Sequence, residues 1–183
     1  MAKATTSTTT PTNTSNPQLG YFKLHNGAPT PKFSTGESCC FDVAFNASGT
    51  LDVKGFNNVN NPITRSMVNT NGALVIVSGD RLAVPTGLVL KIPVGYSVRI
   101  HPRSGLTYNY GLSLANAEGV IDSDYFHELF VLLSNTSNNN LTVRHGDRIA
   151  QAEMVPVLKY DLQEVKERPE QTTDRVGGLG STG

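Results

Sequence analysis

Three stretches of this chain carry residue types that could bind and cut a small anionic substrate. Residues 113–125, Ser-Leu-Ala-Asn-Ala-Glu-Gly-Val-Ile-Asp-Ser-Asp-Tyr, read as a hairpin with its turn near Ala117–Gly119. A hairpin end holds backbone N–H and C=O groups in a fixed array, which suits reading the edge of a flat base. Asp122 at its mouth could act as a general base. Asp122 and Asp124 could equally be solvated strand-edge charges. Pro102-Arg103-Ser104-Gly105-Leu106 puts a guanidinium, a hydroxyl and a flexible amide side by side. That set suits phosphate oxygens, and it also suits a plain turn. From Arg175 onward the chain is rich in glycine, at 177, 178, 180 and 183, and its amides could wrap a polyphosphate. The alternative is a bare terminus. A P-loop is excluded, because the lysine and following helix of that motif are missing.

Short strands must position these groups. Tyr96, Val98 and Ile100 alternate with Ser97, Arg99 and His101, and Leu129, Val131 and Leu133 repeat the period of two. Apolar runs at Ala73–Val77, Gly87–Ile92 and Ile149–Pro156 are separated by turn residues, with Pro85, Pro93 and Pro102 at run ends, where a missing N–H does least damage. No stretch shows capped helical periodicity. Asp161–Glu167 could form a helical turn, but Leu158, Tyr160 and Leu162 alternate as a strand does. The polar, Asn-rich stretch Asn57–Asn71 reads as a long surface loop. Gly79-Asp80-Arg81 and Gly146-Asp147-Arg148 both read as turns entering strands. Many short strands with regular punctuation predict an all-β sandwich or barrel. Residues 1–17, nearly all Thr, Ser, Asn, Ala and Pro, cannot bury enough surface to offset ordering and are expected to be disordered. The body is then 18–165, and 166–183 is a mobile arm.

Composition removes several functions. Lys plus Arg and Asp plus Glu are both 15, a net charge of zero, with no basic stripe for nucleic acid. No apolar run approaches the roughly 20 residues that span a bilayer, so no membrane partner is expected. No charged segment followed by an apolar one opens the chain, so export is not expected. Cys39 and Cys40 are adjacent and cannot staple a fold, which points to a reduced, cytoplasmic compartment. Asn46-Ala47-Ser48, Asn135-Thr136-Ser137 and Asn140-Leu141-Thr142 match the glycosylation acceptor pattern and read as polar loops.

Taken in order, five segments resemble the five motifs of the trimeric dUTPase family. Ser38-Cys39-Cys40-Phe41-Asp42-Val43 is similar to the first and Pro102 to Leu106 to the second. Gly119-Val120-Ile121-Asp122-Ser123-Asp124-Tyr125, with Asn116 upstream, resembles the third. Gly146-Asp147-Arg148-Ile149-Ala150-Gln151 resembles the fourth, and Arg175 to Gly183 the fifth. Ala83–Leu88 is similar to the family's strand leading to motif two. The likeness runs from about Tyr21 to Gly183 and is weakest over Asn46–Asp80. Any one motif is a weak signal, whereas five in order are specific.

The resemblance implies an all-β, distorted jelly-roll (β-clip) homotrimer whose three active sites are each built from all three chains. It implies hydrolysis of dUTP to dUMP and pyrophosphate by metal-assisted water attack on the α-phosphate. That reaction limits uracil in DNA and supplies dUMP for dTMP synthesis. Asp122 would position and deprotonate the water. Asn116 and the backbone of Gly119, Val120 and Ile121 would hold uracil, bordered by Phe130, with Tyr125 under the deoxyribose. Arg103, Ser104, Gly105 and Gln151 would hold phosphate oxygens, and Arg175 would close on the γ-phosphate. Leu179, Gly180 and Ser181 would complete the lid. Asp42 would reach Mg2+ through water, since magnesium keeps several waters and takes most direct ligands from a triphosphate.

Three departures stand out. Motif five has one residue fewer between Arg175 and the paired glycines, Leu179 stands where Phe is usual, and Cys40 replaces the usual Gly before Phe41. Two other functions suit the same fold: a dCTP-directed relative, and a regulatory β-protein that binds partners. The Thr-rich tail and Asn-rich insert fit a viral source, in which case the compartment is the host cytoplasm.

Overall fold

Short alternating runs broken by proline and glycine favour strands over helices. The computed structural model describes residues 16–49, 52–67, 72–175 and 177, and within them it holds fourteen strands and one short helix. The strands are β1 (Gly20–Lys23), β2 (Lys32–Phe33), β3 (Phe41–Ala44), β4 (Asp52–Phe56), β5 (Pro62–Ser66), β6 (Ala73–Ile76), β7 (Arg81–Pro85), β8 (Leu88–Lys91) and β9 (Tyr96–His101). Helix α1 (Ser104–Tyr110) follows, then β10 (Leu112–Leu114), β11 (Gly119–Ile121), β12 (Phe130–Asn135), β13 (Leu141–Arg144) and β14 (Arg148–Pro156).

Two five-stranded antiparallel sheets make the body, in the orders β10-β12-β7-β4-β5 and β11-β9-β14-β3-β2, with small ladders of β1 on β8 and β13 on β6. This is the all-β, jelly-roll class expected. One core cluster draws on both sheets, with Val43, Val98, Ile100 and Ala150 meeting Val53, Leu82, Val84, Val131 and Leu133. The alternating positions behave as their period requires: Val98 is 0% and Ile100 3% exposed, and Leu129, Val131 and Leu133 are 1% each. Each such side chain contributes roughly 1.5–3 kcal/mol on burial.

The two Gly-Asp-Arg tripeptides form one turn used twice. Gly79 and Gly146 have φ of 80° and 87°, the left-handed region that glycine enters without strain. Each Asp then turns its carboxylate back on the N–H three residues earlier, Asp80 on Val77 at 3.1 Å and Asp147 on Arg144 at 2.8 Å. Arg81 and Arg148 open β7 and β14. Asp80 is also buried, at 1% exposure, and takes Arg65 on both carboxylate oxygens at 2.8 and 3.0 Å.

Several local expectations are corrected. Residues 104–110 are helical rather than a plain turn. Gly111 ends the helix at φ 68°, its N–H reaching the carbonyls of Leu106 and Thr107, and seven residues are too few to show a period. The stretch 113–125 is not a hairpin, because β10 pairs with β12 and β11 with β9, so the chain crosses between sheets. Part of the expected loop 57–71 is strand β5, paired with β4. The inward face of that ribbon is narrow, with Val53 buried and Ile63 packed on the core between polar neighbours, so the apolar alternation is weak. Its tip closes where Asn57 Oδ1 accepts the N–H groups of Val59 and Asn61 at 3.1 and 2.9 Å. Beyond Pro156, Leu158, Tyr160 and Leu162 are neither strand nor helix and stand 83%, 76% and 91% exposed. Asn46 and Asn135 are buried rather than looped out: the Asn135 Nδ2 donates to Ile76 O and Asn139 O. The tail 1–17 lies outside the described residues up to position 15.

Candidate active site

Strands β10 and β11 lie at adjoining edges of different sheets, and a cavity of about 430 Å³ opens between them. Asn116, Gly119, Val120, Ile121, Asp122, Tyr125 and Phe130 all line it. β11 uses one edge on β9 and leaves the other unpaired among the described residues. The backbone N–H and C=O groups of that open edge require partners, and a planar base edge can supply them. The turn above it is tight: the Glu118 N–H bonds Asn116 O at 2.6 Å, with Ala117 at φ 60°. A non-glycine residue there stores strain, a feature that clusters at binding sites. A Cβ on Gly119 would lie 3.0 Å from Ile100 Cβ and 3.5 Å from Asn116 Nδ2, so a side chain there would press β11 against Ile100 unless that residue gives by a few tenths of an ångström. Tyr125 is fixed by its hydroxyl, which donates to Glu128 O at 2.9 Å, and by an edge contact with His127. Asp122 is exposed, one residue beyond β11.

A second, polar cavity of about 280 Å³ holds Asp42, Arg103, Ser104, Gly105, Arg148 and Gln151, with Ser34 and the two cysteines at its border. Asp42 is its electrostatic centre, on β3, which is paired with β14 so that Gln151 stands opposite it. The Ser34 hydroxyl and Arg148 Nη1 donate to Asp42 Oδ2 at 2.7 and 3.0 Å, and Arg103 Nε lies 3.5 Å from Oδ1. Burial pushes this carboxyl up. The Ser34 and Arg148 hydrogen bonds and the two guanidinium charges outweigh burial and hold it below the usual carboxylate range. Arg103 is steadied by donating to Arg148 O at 2.9 Å, and Gln151 by donating to Pro102 O at 3.1 Å. Burial also pushes the neighbouring Cys40 thiol up to about 11.

Between the cavities stands His101, the last residue of β9. Its Nε2 is 3.1 Å from Glu153 and its Nδ1 3.7 Å from Glu118, which also takes Arg99 at 3.2 Å. These contacts tie β9 to β14 on one flank and to the turn before β11 on the other. The two cavities share no lining residue.

The structure thus gathers the sequence candidates into two groups, the base-edge set and the anion set. Arg175 joins neither. It lies exposed in the arm, its Nε donating to Gly177 O at 2.8 Å. Leu179, Gly180 and Ser181 lie outside the described residues. Sequence reasoning passed over Arg148 and Ser34 as partners of Asp42. Arg148 stands in the fourth quoted segment, three residues before Gln151, and an arginine opening a strand was its only signal; Ser34 had none. No three His, Cys, Asp or Glu side chains among the described residues could together hold a metal ion. A lone carboxylate already facing two arginines cannot enclose a bare cation. Its chemistry would suit a cation that brings its own phosphate and water oxygens.

Against known proteins, a family model described as dUTPase matches residues 67–183. The deoxyuridine 5'-triphosphate nucleotidohydrolase of Brucella melitensis biotype 2 is 35% identical over 176 residues, covering 95% of this chain and 98% of that one. Among solved structures, a mutant dUTPase of Staphylococcus bacteriophage 80alpha with dUpNHpp aligns at TM-score 0.69 and 20% identity, over 91% of this chain and 98% of that one. The dUTPase of phage phi11 of S. aureus, described with a structural Mg(II) ion, aligns at 0.64 and 18%, over 84% and 99%. The structural likenesses fix the fold. With the family match and the near full-length relative, this chain belongs to the dUTPase family.

Proposed function

We propose that this chain hydrolyses dUTP to dUMP and pyrophosphate through attack of water on the α-phosphorus. The observation that carries the reading is the meeting of Asn116, the open edge of β11, Asp122 and Tyr125 in one cavity. It is supported by the family and by a relative that acts on deoxyuridine 5'-triphosphate. Uracil lies along residues 119–121 with Asn116 and Phe130 at its border. Tyr125 packs under the deoxyribose and leaves no room for a 2′-hydroxyl. Asp122 takes the proton of the attacking water, the water oxygen bonds to the α-phosphorus, and the bond to the bridging oxygen breaks with the electron pair leaving on pyrophosphate. Arg103, Ser104, Gly105 and Gln151 hold phosphate oxygens, and catalysis is positioning plus charge stabilisation.

Asp42 would hold a magnesium ion brought by the triphosphate, which would supply charge neutralisation. Arg175 closes on the γ-phosphate, Leu179 covers the base, and Gly180 and Ser181 give amide and hydroxyl contacts, so that 166–183 acts as a lid on the body. Because base and anion cavities are separate on one chain, the complete site joins chains of a homotrimer, with β10–β11 of one facing the Asp42 cavity of another. No helix of the described residues is long and apolar enough to cross a membrane. The free thiols Cys39 and Cys40 suit a reducing cytoplasm, that of the host for a viral source.

Side-by-side turnover of dUTP, dCTP and dTTP with magnesium tests the reading. Strong preference for dUTP is expected. Deamination of dCTP, or no turnover of any of the three, overturns it.

A further inference from the structure

Cys39 and Cys40 stand at the border of the anion cavity, their sulfurs 3.8 Å apart and unbonded. Cys39 is exposed and belongs to two spaces at once. On one side it lines the polar cavity with Asp42, Arg103 and Arg148. On the other it lines an apolar groove of about 370 Å³ with Tyr21, Phe33 and Met154. The geometry points to a vicinal dithiol site that captures monosubstituted trivalent arsenic, the arsenic bridging both sulfurs at the anion cavity and its aryl group lying in the groove.

Adjacency of the two residues decides this chemistry. Consecutive Cα atoms across a trans peptide are about 3.8 Å apart, and a relaxed disulfide spans roughly 4.4–6.8 Å between Cα atoms. A direct S–S bond between neighbours is therefore strained. A third atom between the sulfurs relieves that restriction and needs only side-chain rotation. The step balances without an oxidant: an arylarsine oxide condenses with two thiols, two S–As bonds form, both S–H bonds and the As=O bond break, and one water leaves. Inorganic arsenite, lacking an aryl group, gains nothing from the groove. Arsenic at this point also occupies space next to Asp42 and Arg103, so it blocks the entry of the triphosphate. That consequence rests on the proposed dUTP hydrolysis; the capture itself does not.

Phenylarsine oxide added to the full-length protein tests both. Intact mass is expected to show one phenylarsenic per chain with loss of one water. The adduct should be released by 2,3-dimercaptopropanol and not by excess 2-mercaptoethanol. Cys39→Ser and Cys40→Ser should each abolish the monothiol-resistant adduct, and inorganic arsenite should bind more weakly. In the wild type, dUTP turnover should fall in step with adduct formation and be protected by a non-hydrolysable dUTP analogue. A monothiol-reversible adduct, or one that survives Cys40→Ser, overturns the dithiol site. An adduct that leaves turnover intact overturns the blocking. Absence of dUTP turnover in the untreated protein counts against the proposed activity alone, because capture is still read from the mass.

Discussion

Asp42 keeps its charge among cations, 12% exposed between Arg148 and Arg103, while Asp122 stands in solvent at the lip of the base cavity. The surroundings suit different tasks. A carboxylate held by two guanidinium groups is a poor proton acceptor and a good electrostatic anchor, whereas a free one can take a proton from water. Asp122→Asn should therefore keep fold and nucleotide binding while lowering dUTP turnover by at least about a hundredfold, measured by pyrophosphate release. For Asp42 the folded pKa lies below its ordinary value. Its contribution to stability is then complete above the ordinary carboxylate value and is lost as pH falls through the folded one. Asp42→Asn should cost ~1 kcal/mol at neutral pH, and the chemical-denaturation midpoints of variant and wild type should converge under acid. Asp42, Arg103 and Asp122 could be read in the sequence because their neighbours form short local motifs. Arg148 could not be assigned to Asp42, since the contact spans 106 residues and exists only through the β3–β14 register.

Strands were legible where long apolar runs alternate, but not at β3 or β4, which also bury alternate residues. β9 and β12 follow their period of two, and both Gly-Asp-Arg turns open strands as read. Pairing was not legible. The period of β10 and β11 is the same whether they pair with each other or cross between sheets, and only the partners β12 and β9 decide. β5 was missed because Ile63 is its one apolar residue packed on the core, and α1 because it buries no residue. The crossing matters to the site, since it leaves the β11 edge open where a hairpin partner would fill it. Gly119 controls how closely that edge sits on β9. Gly119→Ala should wedge β11 from Ile100 at an overpacking cost of ~1–3 kcal/mol, raising the KM for dUTP by about tenfold with a smaller effect on kcat. An unchanged KM would show that the β11 edge does not read the base.

At the scale of the whole molecule, Phe22, Tyr108, Phe126 and the arm's Leu158 and Leu162 are exposed. Association is expected because the base and anion cavities are separate on one chain. Sedimentation should show a closed threefold assembly, and mixed assemblies extend the test. Hybrids of Asp122→Asn chains with Arg103→Ala chains should regain turnover that neither variant has, because some sites then join an intact Asp122 to an intact Arg103. No recovery in confirmed hybrids would mean that each site lies within one chain. Truncation after Gln171 should leave a folded assembly with severely reduced turnover, because the lid no longer orients the triphosphate or excludes water. Full turnover by the truncated protein would reduce the arm to a tail.

The central chemistry is tested most directly by hydrolysing dUTP in water enriched in heavy oxygen and following the label by mass spectrometry. Attack on the α-phosphorus guided from the Asp122 cavity puts the label in dUMP and leaves pyrophosphate unlabelled. Label in pyrophosphate, or release of phosphate in place of pyrophosphate, would contradict it.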